Sequence, residues 1–214
     1  MSKLTYSPIV ELRMYILHPG RRGELIKLFE REFIETQEAV GIQVIGQFYD
    51  LDDPNQFVWL RGFNDMSARA QSLHAFYDGP IWKAHREAAN ATMINSDNVL
   101  LLRLPHESCG FPLKDSNRPP LGSRAKQDGF IAATIYYFDA PVDSAFITYF
   151  ENTIKPLLTE ADVEILAYFV TEESPNTFPR LPVREGEYVF VWFAGFDDQD
   201  AYKSHLAKLR ESKP

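Results

Sequence analysis

The stretch FVWLRGFND, residues 57–65, returns as FVWFAGFDD at residues 190–198, with six of nine letters identical and Trp192 standing 133 positions after Trp59. Each copy alternates large apolar residues as a half-buried strand does, then ends in acidic residues able to cap a helix. Working outward, the residues before each copy repeat as well. Phe169 follows Phe48, and Pro175 follows Pro54, both at an offset of 121. FIAATIYYF aligns on the first strand with Tyr137 on Tyr15, an offset of 122. The larger offset at the third strand places an insertion of about 12 residues in the turn TFPRLPVREGEY, a loop of the kind that normally absorbs insertions.

The first half reads β-α-β-β-α-β. Ile9 to Leu17 alternate as a strand and stop at His18-Pro19-Gly20. Helical spacing of Leu25, Leu28, Phe29 and Phe33 predicts a helix over 22–39, halted by Gly41. Strands follow at 42–50 and 57–63, then a helix interrupted at Gly79-Pro80 and continuing to Met93, then a strand at 99–104. Residues 105–129 are rich in Pro, Gly and charge and read as a connector. The pattern then restarts and runs to a last helix near 200–212, with no second copy of the fourth strand. The expected domains are residues 1–104 and 130–214, joined by 105–129.

This order predicts an α+β fold of tandem ferredoxin-like repeats, the second truncated, with both helices of each on one sheet face. On the first strand Val10, Leu12, Met14 and Ile16 make a wholly apolar face, expected to meet the helices. Ile9, Tyr15 and Leu17, with Ile131, Ile135 and Tyr137, would leave two apolar sheet faces bare, so the two antiparallel sheets are expected to pack face to face as an α/β barrel. The truncated sheet exposes an unpaired edge, which makes a homo-oligomer the expected state.

VELRMYILHPGRRGELIKLFE at 10–30, GIQVIGQFYDLDDPNQFVWLRGF at 41–63 and FYDGPIWKAHREAANATMINSDNVLLLR at 76–103 resemble NIPSNAP-family domains, whose opening runs as E-L-R-x-Y-x-L-x-P-G before an amphipathic helix. The likeness covers residues 8–104; the second copy carries Ala133 and Ile135 in place of the motif's Glu11 and Arg13. The resemblance implies the dimeric α/β-barrel superfold, shared by cofactor-free quinol and antibiotic-biosynthesis monooxygenases, haem-degrading enzymes and muconolactone isomerases. It implies no single reaction.

If the apolar face meets the helices, Glu11, Arg13 and Tyr15 point into the space between the sheets. Buried charges require partners, and two readings stand. Glu11 and Arg13 pair with each other or with Arg61 and fix register, or Arg13 or Arg61 holds an anionic or carbonyl group while Tyr15 and Tyr137 supply hydrogen bonds. Alternation alone does not set which face of the third strand bears Arg61. The candidate ligand is a small amphipathic or anionic molecule, with a cofactor-free oxygenase or isomerase as the chemistry. The alternative is an interaction or scaffold protein with a filled barrel. No cofactor is expected.

Composition narrows the rest. A net charge of −8 with no basic patch argues against nucleic acid. The single cysteine, Cys109, excludes a multi-cysteine metal cage, and no histidine pair has metal-ligand spacing, so no metal site is expected. Cys109 sits in the connector with only His106 nearby. No apolar run approaches the roughly 20 residues that cross a bilayer, and the opening residues lack signal-peptide or presequence patterns. A cytoplasmic location is expected.

Overall fold

The computed structural model describes residues 7–112 and 129–211. The chain is α+β and divides into two compact units, each described by itself: residues 7–103 with 172–186, and residues 104–112, 129–171 and 187–211. Residues 113–128 of the expected connector lie outside the described residues. Its opening part is ordered and belongs to the second unit.

The first unit begins with β1 (Ile9–Leu17), followed by α1 (Arg22–Leu28), a π-helical turn (Phe29–Phe33) and α2 (Ile34–Glu38). Gly41, at φ 89°, provides the left-handed turn that ends this run. Then come β2 (Gln43–Tyr49), β3 (Gln56–Phe63), α3 (Met66–Tyr77), α4 (Pro80–Asn90), β4 (Met93–Asn95) and β5 (Val99–Arg103). The Asp65 carboxylate accepts from the Ala68 N–H at 2.7 Å and starts α3, while Pro80 opens α4 where a helix needs no N–H. All pairings are antiparallel, in the order β2-β3-β1-β5, with β4 on the end of β1.

Most of β1 is buried on both faces, Met14 being half-buried and Ile16 exposed at its far end. Val10 and Leu12 on one face and Ile9, Glu11, Arg13, Tyr15 and Leu17 on the other all have 7% exposure or less. The helices cover the second set: Ile9, Tyr15, Leu17, Phe57 and Trp59 form one core with Leu25, Phe29 and Phe33. The charged face of β1 is therefore the helix side, opposite to the expectation from its apolar alternation. The reason is that the helices carry polar partners of their own, Arg69 for Glu11 and Gln37 and Tyr77 for Arg61.

The second unit contains a 3₁₀ turn (Glu107–Cys109), β6 (Phe130–Phe138), α5 (Ser144–Tyr149), a second π-helical turn (Phe150–Ile154), α6 (Lys155–Glu160), β7 (Glu164–Thr171), β8 (Tyr188–Phe196) and α7 (Gln199–Glu211). Its strands pair as β7-β8-β6. Phe150, Tyr168, Phe190 and Trp192 lie in the core under its helices. No helix among the described residues is long and apolar enough to cross a membrane.

Strand register gives the correspondence between the units and corrects one alignment. Arg13 lies opposite Trp59, and Thr134 lies opposite Trp192. Tyr15 lies opposite Phe57, and Tyr136 opposite Phe190. The counterpart of Tyr15 is thus Tyr136, at offset 121, and not Tyr137. A one-residue slip moves every side chain of a strand to the other face. Offset 121 also carries the register shift between Val44 and Gly46 onto that between Ile165 and Ala167, and the π-helical turn at Phe29 onto that at Phe150.

Candidate functional site

On the helix side of the first unit's sheet, β1 and β3 set Glu11 directly across from Arg61 and Arg13 across from Trp59. The Glu11 carboxylate, fully buried, takes three guanidiniums. Arg13 Nη1 lies 2.5 Å from Oε2, Arg61 Nε 2.7 Å from the same oxygen, and Arg69 Nε, from α3, 2.7 Å from Oε1. Arg61 and Arg69 each also bring Nη2 to 2.7 Å of the oxygen their Nε holds, out of hydrogen-bond geometry, so these two nitrogens add charge and no second bond. All four side chains have 1% exposure or less.

Three cations face one carboxylate, leaving a formal charge of +2 in a site without water access. Among the described residues Glu11 is the single carboxylate within hydrogen-bonding distance of these guanidiniums. Burial would raise the Glu11 carboxyl, but Arg61, Arg13 and Arg69 together outweigh it and hold the group far below the usual carboxylate range. Glu11 is therefore a locked anion and a poor base. Arg69 is drawn below its ordinary value by burial, with Glu11 opposing.

The remaining guanidinium donors point at neutral oxygens. Arg13 Nε donates to the Tyr15 hydroxyl at 2.7 Å, and Arg61 Nη1 to the Tyr77 hydroxyl at 3.3 Å and Gln37 Oε1 at 3.4 Å. Arg69 Nη1 donates to Asn176 Oδ1 and Thr177 Oγ1, both at 3.0 Å. Those two residues belong to the insertion between β7 and β8, which reads as a bare loop in sequence. Here it is part of the first unit, with Phe178 buried against His74 and Tyr77 at ring-centroid distances of 4.8 and 5.7 Å.

A cavity of about 80 Å³ adjoins this cluster, between sheet and helices. Tyr15, Gln37, Trp59 and Tyr77 line it together with the rings of Phe29 and Trp82. Burial keeps the Tyr15 phenol above its ordinary value, with Arg13 opposing, so the hydroxyl stays neutral and can donate. Because Tyr15 and Tyr77 each accept from an arginine behind them, each keeps its own O–H to give. A third donor, the buried Trp59 indole N–H, has no hydrogen-bond partner among the described residues. Among the described residues that line the cavity there is neither a carboxylate nor a histidine.

The structure thus brings together four of the five residues singled out in sequence: Glu11, Arg13, Tyr15 and Arg61. Tyr137 lies on β6 of the second unit, 56% exposed, and does not line this cavity. Sequence reasoning missed Arg69, Tyr77, Gln37 and Trp59. Arg69 had a signal, a cation in register with the apolar stripe of α3 that carries Met66, Leu73 and Phe76.

The second unit supplies an internal comparison. Across the same strand pairs Glu11, Arg13 and Arg61 correspond to Ala132, Thr134 and Ala194. Asp198 accepts from the Ala201 N–H at 2.8 Å as Asp65 does from Ala68, so Arg69 corresponds to Tyr202, whose ring stacks on Phe130 at 4.8 Å. The same register, bulge and π-helical turn form without any of the four charges.

The NIPSNAP family profile matches residues 10–106. A NIPSNAP-like domain protein from Burkholderia xenovorans is 32% identical over 53% of this chain and 90% of its own, with a TM-score of 0.41. The chain belongs to the NIPSNAP family. A NIPSNAP family protein from Agrobacterium tumefaciens is 23% identical over 53% of this chain and 97% of its own, TM-score 0.42. A protein described as a putative monooxygenase, from Lactobacillus acidophilus NCFM, matches 94% of this NIPSNAP chain and 81% of its own at 17% identity and a TM-score of 0.53, a likeness of fold. No curated protein matches the chain.

Proposed function

We propose that the first unit binds the oxyanion end of a small, largely apolar molecule in the cavity between its sheet and helices. The observation that carries this reading is the uncompensated charge: three buried guanidiniums and one carboxylate beneath an aromatic cavity, at positions the second unit fills with Ala, Thr, Ala and Tyr. Architecture does not require the charges, so their desolvation cost has another return. Tyr15, Tyr77 and Trp59 offer donors toward one small volume, backed by Arg13 and Arg61, in the manner of an oxyanion hole.

The size of the cavity narrows the occupant. At about 80 Å³ it is roughly half the 150 Å³ that admits benzene, and fits a carboxylate or enolate head rather than a whole ring. The remainder of the molecule would lie at the mouth, by Asn90, Met93 and Ser96. With no base lining the cavity, the substrate must be acidic enough to ionise by itself. An ionised enol or phenol can pass one electron to dioxygen without a cofactor. The substrate radical and superoxide then combine into a peroxide at the carbon, which takes a proton and loses water with that carbon's hydrogen to leave a carbonyl. One oxygen atom stays in the product, the other leaves as water and the substrate supplies every electron, and this is the oxygenase step we assign. The fold shared with proteins described as putative monooxygenases supports that assignment by analogy only.

Calorimetry with carboxylates of increasing chain length, each against its amide, tests the binding. The carboxylates should bind and the amides should not, and Arg13→Met, by removing the cation behind the Tyr15 donor, should weaken the best carboxylate by about 10-fold, which is about 1.4 kcal/mol. Equal binding of acid and amide, or affinity unchanged in Arg13→Met, overturns the reading. An oxygen electrode with acidic phenols and 1,3-diketones tests the chemistry, and no uptake above the buffer rate would remove that step.

A further inference from the structure

At the edge of its core, where Cys109 and Tyr168 are buried, the second unit holds a polar cluster apart from the first unit's cavity. His106 and Cys109 flank one 3₁₀ turn, whose three residues per turn bring side chains three apart onto the same side. Cys109 Sγ lies 3.2 Å from His106 Nε2. The π-helical turn brings Glu151, whose Oε1 contacts His106 Nε2, and β7 brings Tyr168, whose hydroxyl lies 2.6 Å from the same carboxylate oxygen and 3.4 Å from His106 Nε2. One nitrogen, one sulfur and one carboxylate oxygen, from His106, Cys109 and Glu151, lie within 4.8 Å of one another.

We propose that His106, Cys109 and Glu151 form a binding site for a divalent zinc-like cation, with its fourth position open to water or to the Tyr168 oxygen. Zinc is borderline in softness and accepts this mixed sulfur, nitrogen and oxygen set. At its usual bond lengths a tetrahedral site separates sulfur from nitrogen by about 3.5 Å and nitrogen from oxygen by about 3.4 Å. Cys109 Sγ lies 3.2 Å from both ring nitrogens of His106, against the ring and not in line with Nε2, so a turn of the imidazole presents Nε2 to an ion shared with the sulfur, and the His106–Glu151 contact opens as the ion enters. Thiolate and carboxylate balance the ion's two charges, while the nearby Lys155 ammonium lies over the Tyr168 ring at 5.5 Å and not among the donors.

The outer contacts fit as well. A histidine that ligates through one nitrogen almost always gives the other N–H to an oxygen, and His106 Nδ1 is 3.0 Å from Ser108 Oγ. His106 and Glu151 keep 45% and 29% exposure, which leaves an entry path, while Cys109 is buried. Spacing in the sequence excludes a multi-cysteine cage and offers no histidine pair. It does not exclude three unlike donors, one of them 42 positions beyond Cys109.

The test uses the full chain, stripped with a chelator and titrated with Zn²⁺ by calorimetry and with Co²⁺ by absorbance. One equivalent should bind at micromolar concentration or tighter, with a thiolate-to-cobalt charge-transfer band in the near ultraviolet. Cys109→Ser should abolish the band and weaken Zn²⁺ by about 100-fold or more, and Ser108→Ala by about 10-fold. Because Cys109 is buried, Glu151→Gln at the more exposed position gives a parallel loss should the serine variant fail to fold. Absence of stoichiometric Zn²⁺ binding, or binding unchanged in folded Glu151→Gln, overturns the proposal.

Discussion

Replacing Glu11 by Gln removes the one negative charge among Arg13, Arg61 and Arg69 and leaves three cations facing a neutral amide. Breaking a buried ion pair from one side costs about 3–5 kcal/mol, a large part of the roughly 5–15 kcal/mol that holds a typical domain folded. The pH dependence separates this from a packing defect. The folded-state carboxyl is depressed far below its ordinary 4.5, so its contribution is fully present above pH 4.5 and is lost as pH falls toward the folded value. Each pH unit below 4.5 removes about 1.4 kcal/mol from the native protein and nothing from the variant at this site. Between pH 4.5 and 3 the gap between the two proteins should therefore narrow by about 2 kcal/mol. Urea unfolding followed by tryptophan fluorescence in a Trp192→Phe background reports the first unit alone, through Trp59 and Trp82. A gap below about 1 kcal/mol at pH 7, or one that stays constant down to pH 3, would refute the charge argument.

Three further outcomes follow from the same geometry. Trp59→Phe deletes an unpartnered buried N–H but also one ring of a packed indole, so a relief of about 1–3 kcal/mol is offset by a packing loss of similar size and stability should change by less than about 2 kcal/mol while carboxylate affinity falls; calorimetry beside urea unfolding reads both. Phe178→Ala should destabilise the first unit by about 3–5 kcal/mol, because the ring is buried against α3, and a loss under 1 kcal/mol would mean the insertion does not pack there in solution. Thr177→Val takes one acceptor from Arg69 and should cost about 1–3 kcal/mol in the same measurement, with Thr177→Ser restoring most of it.

The element order of both units was legible because strand alternation, the Gly79-Pro80 break and the repeated third strand are local signals, each confined to a few residues. The facing of β1 was not. Alternation separates its two faces, but most of both is buried, and the cue that assigns them is the set of helix side chains waiting on the charged side. Arg69 is 58 positions from Glu11, and Gln37 and Tyr77 are 24 and 16 positions from Arg61, and each pair meets only after the chain folds. The slip from Tyr136 to Tyr137 has a similar origin, since two adjacent tyrosines offer identical letters and only the pairing of Tyr136 with Phe190 distinguishes them.

That slip bears on function. With Tyr137 aligned on Tyr15, the charged motif of β1 matches Ala133 and Ile135, on the strand face away from the helices. The pairing instead matches it to Ala132 and Thr134, on the helix face, where the two units can be compared side chain by side chain. The second unit forms the same strands and helices around Ala132, Thr134, Ala194 and Tyr202, of which only Ala194 is buried, whereas Glu11, Arg13, Arg61 and Arg69 are all buried. The element order therefore does not depend on four buried charges, and what they offer in exchange for their desolvation is a positive potential beneath a cavity lined with donors.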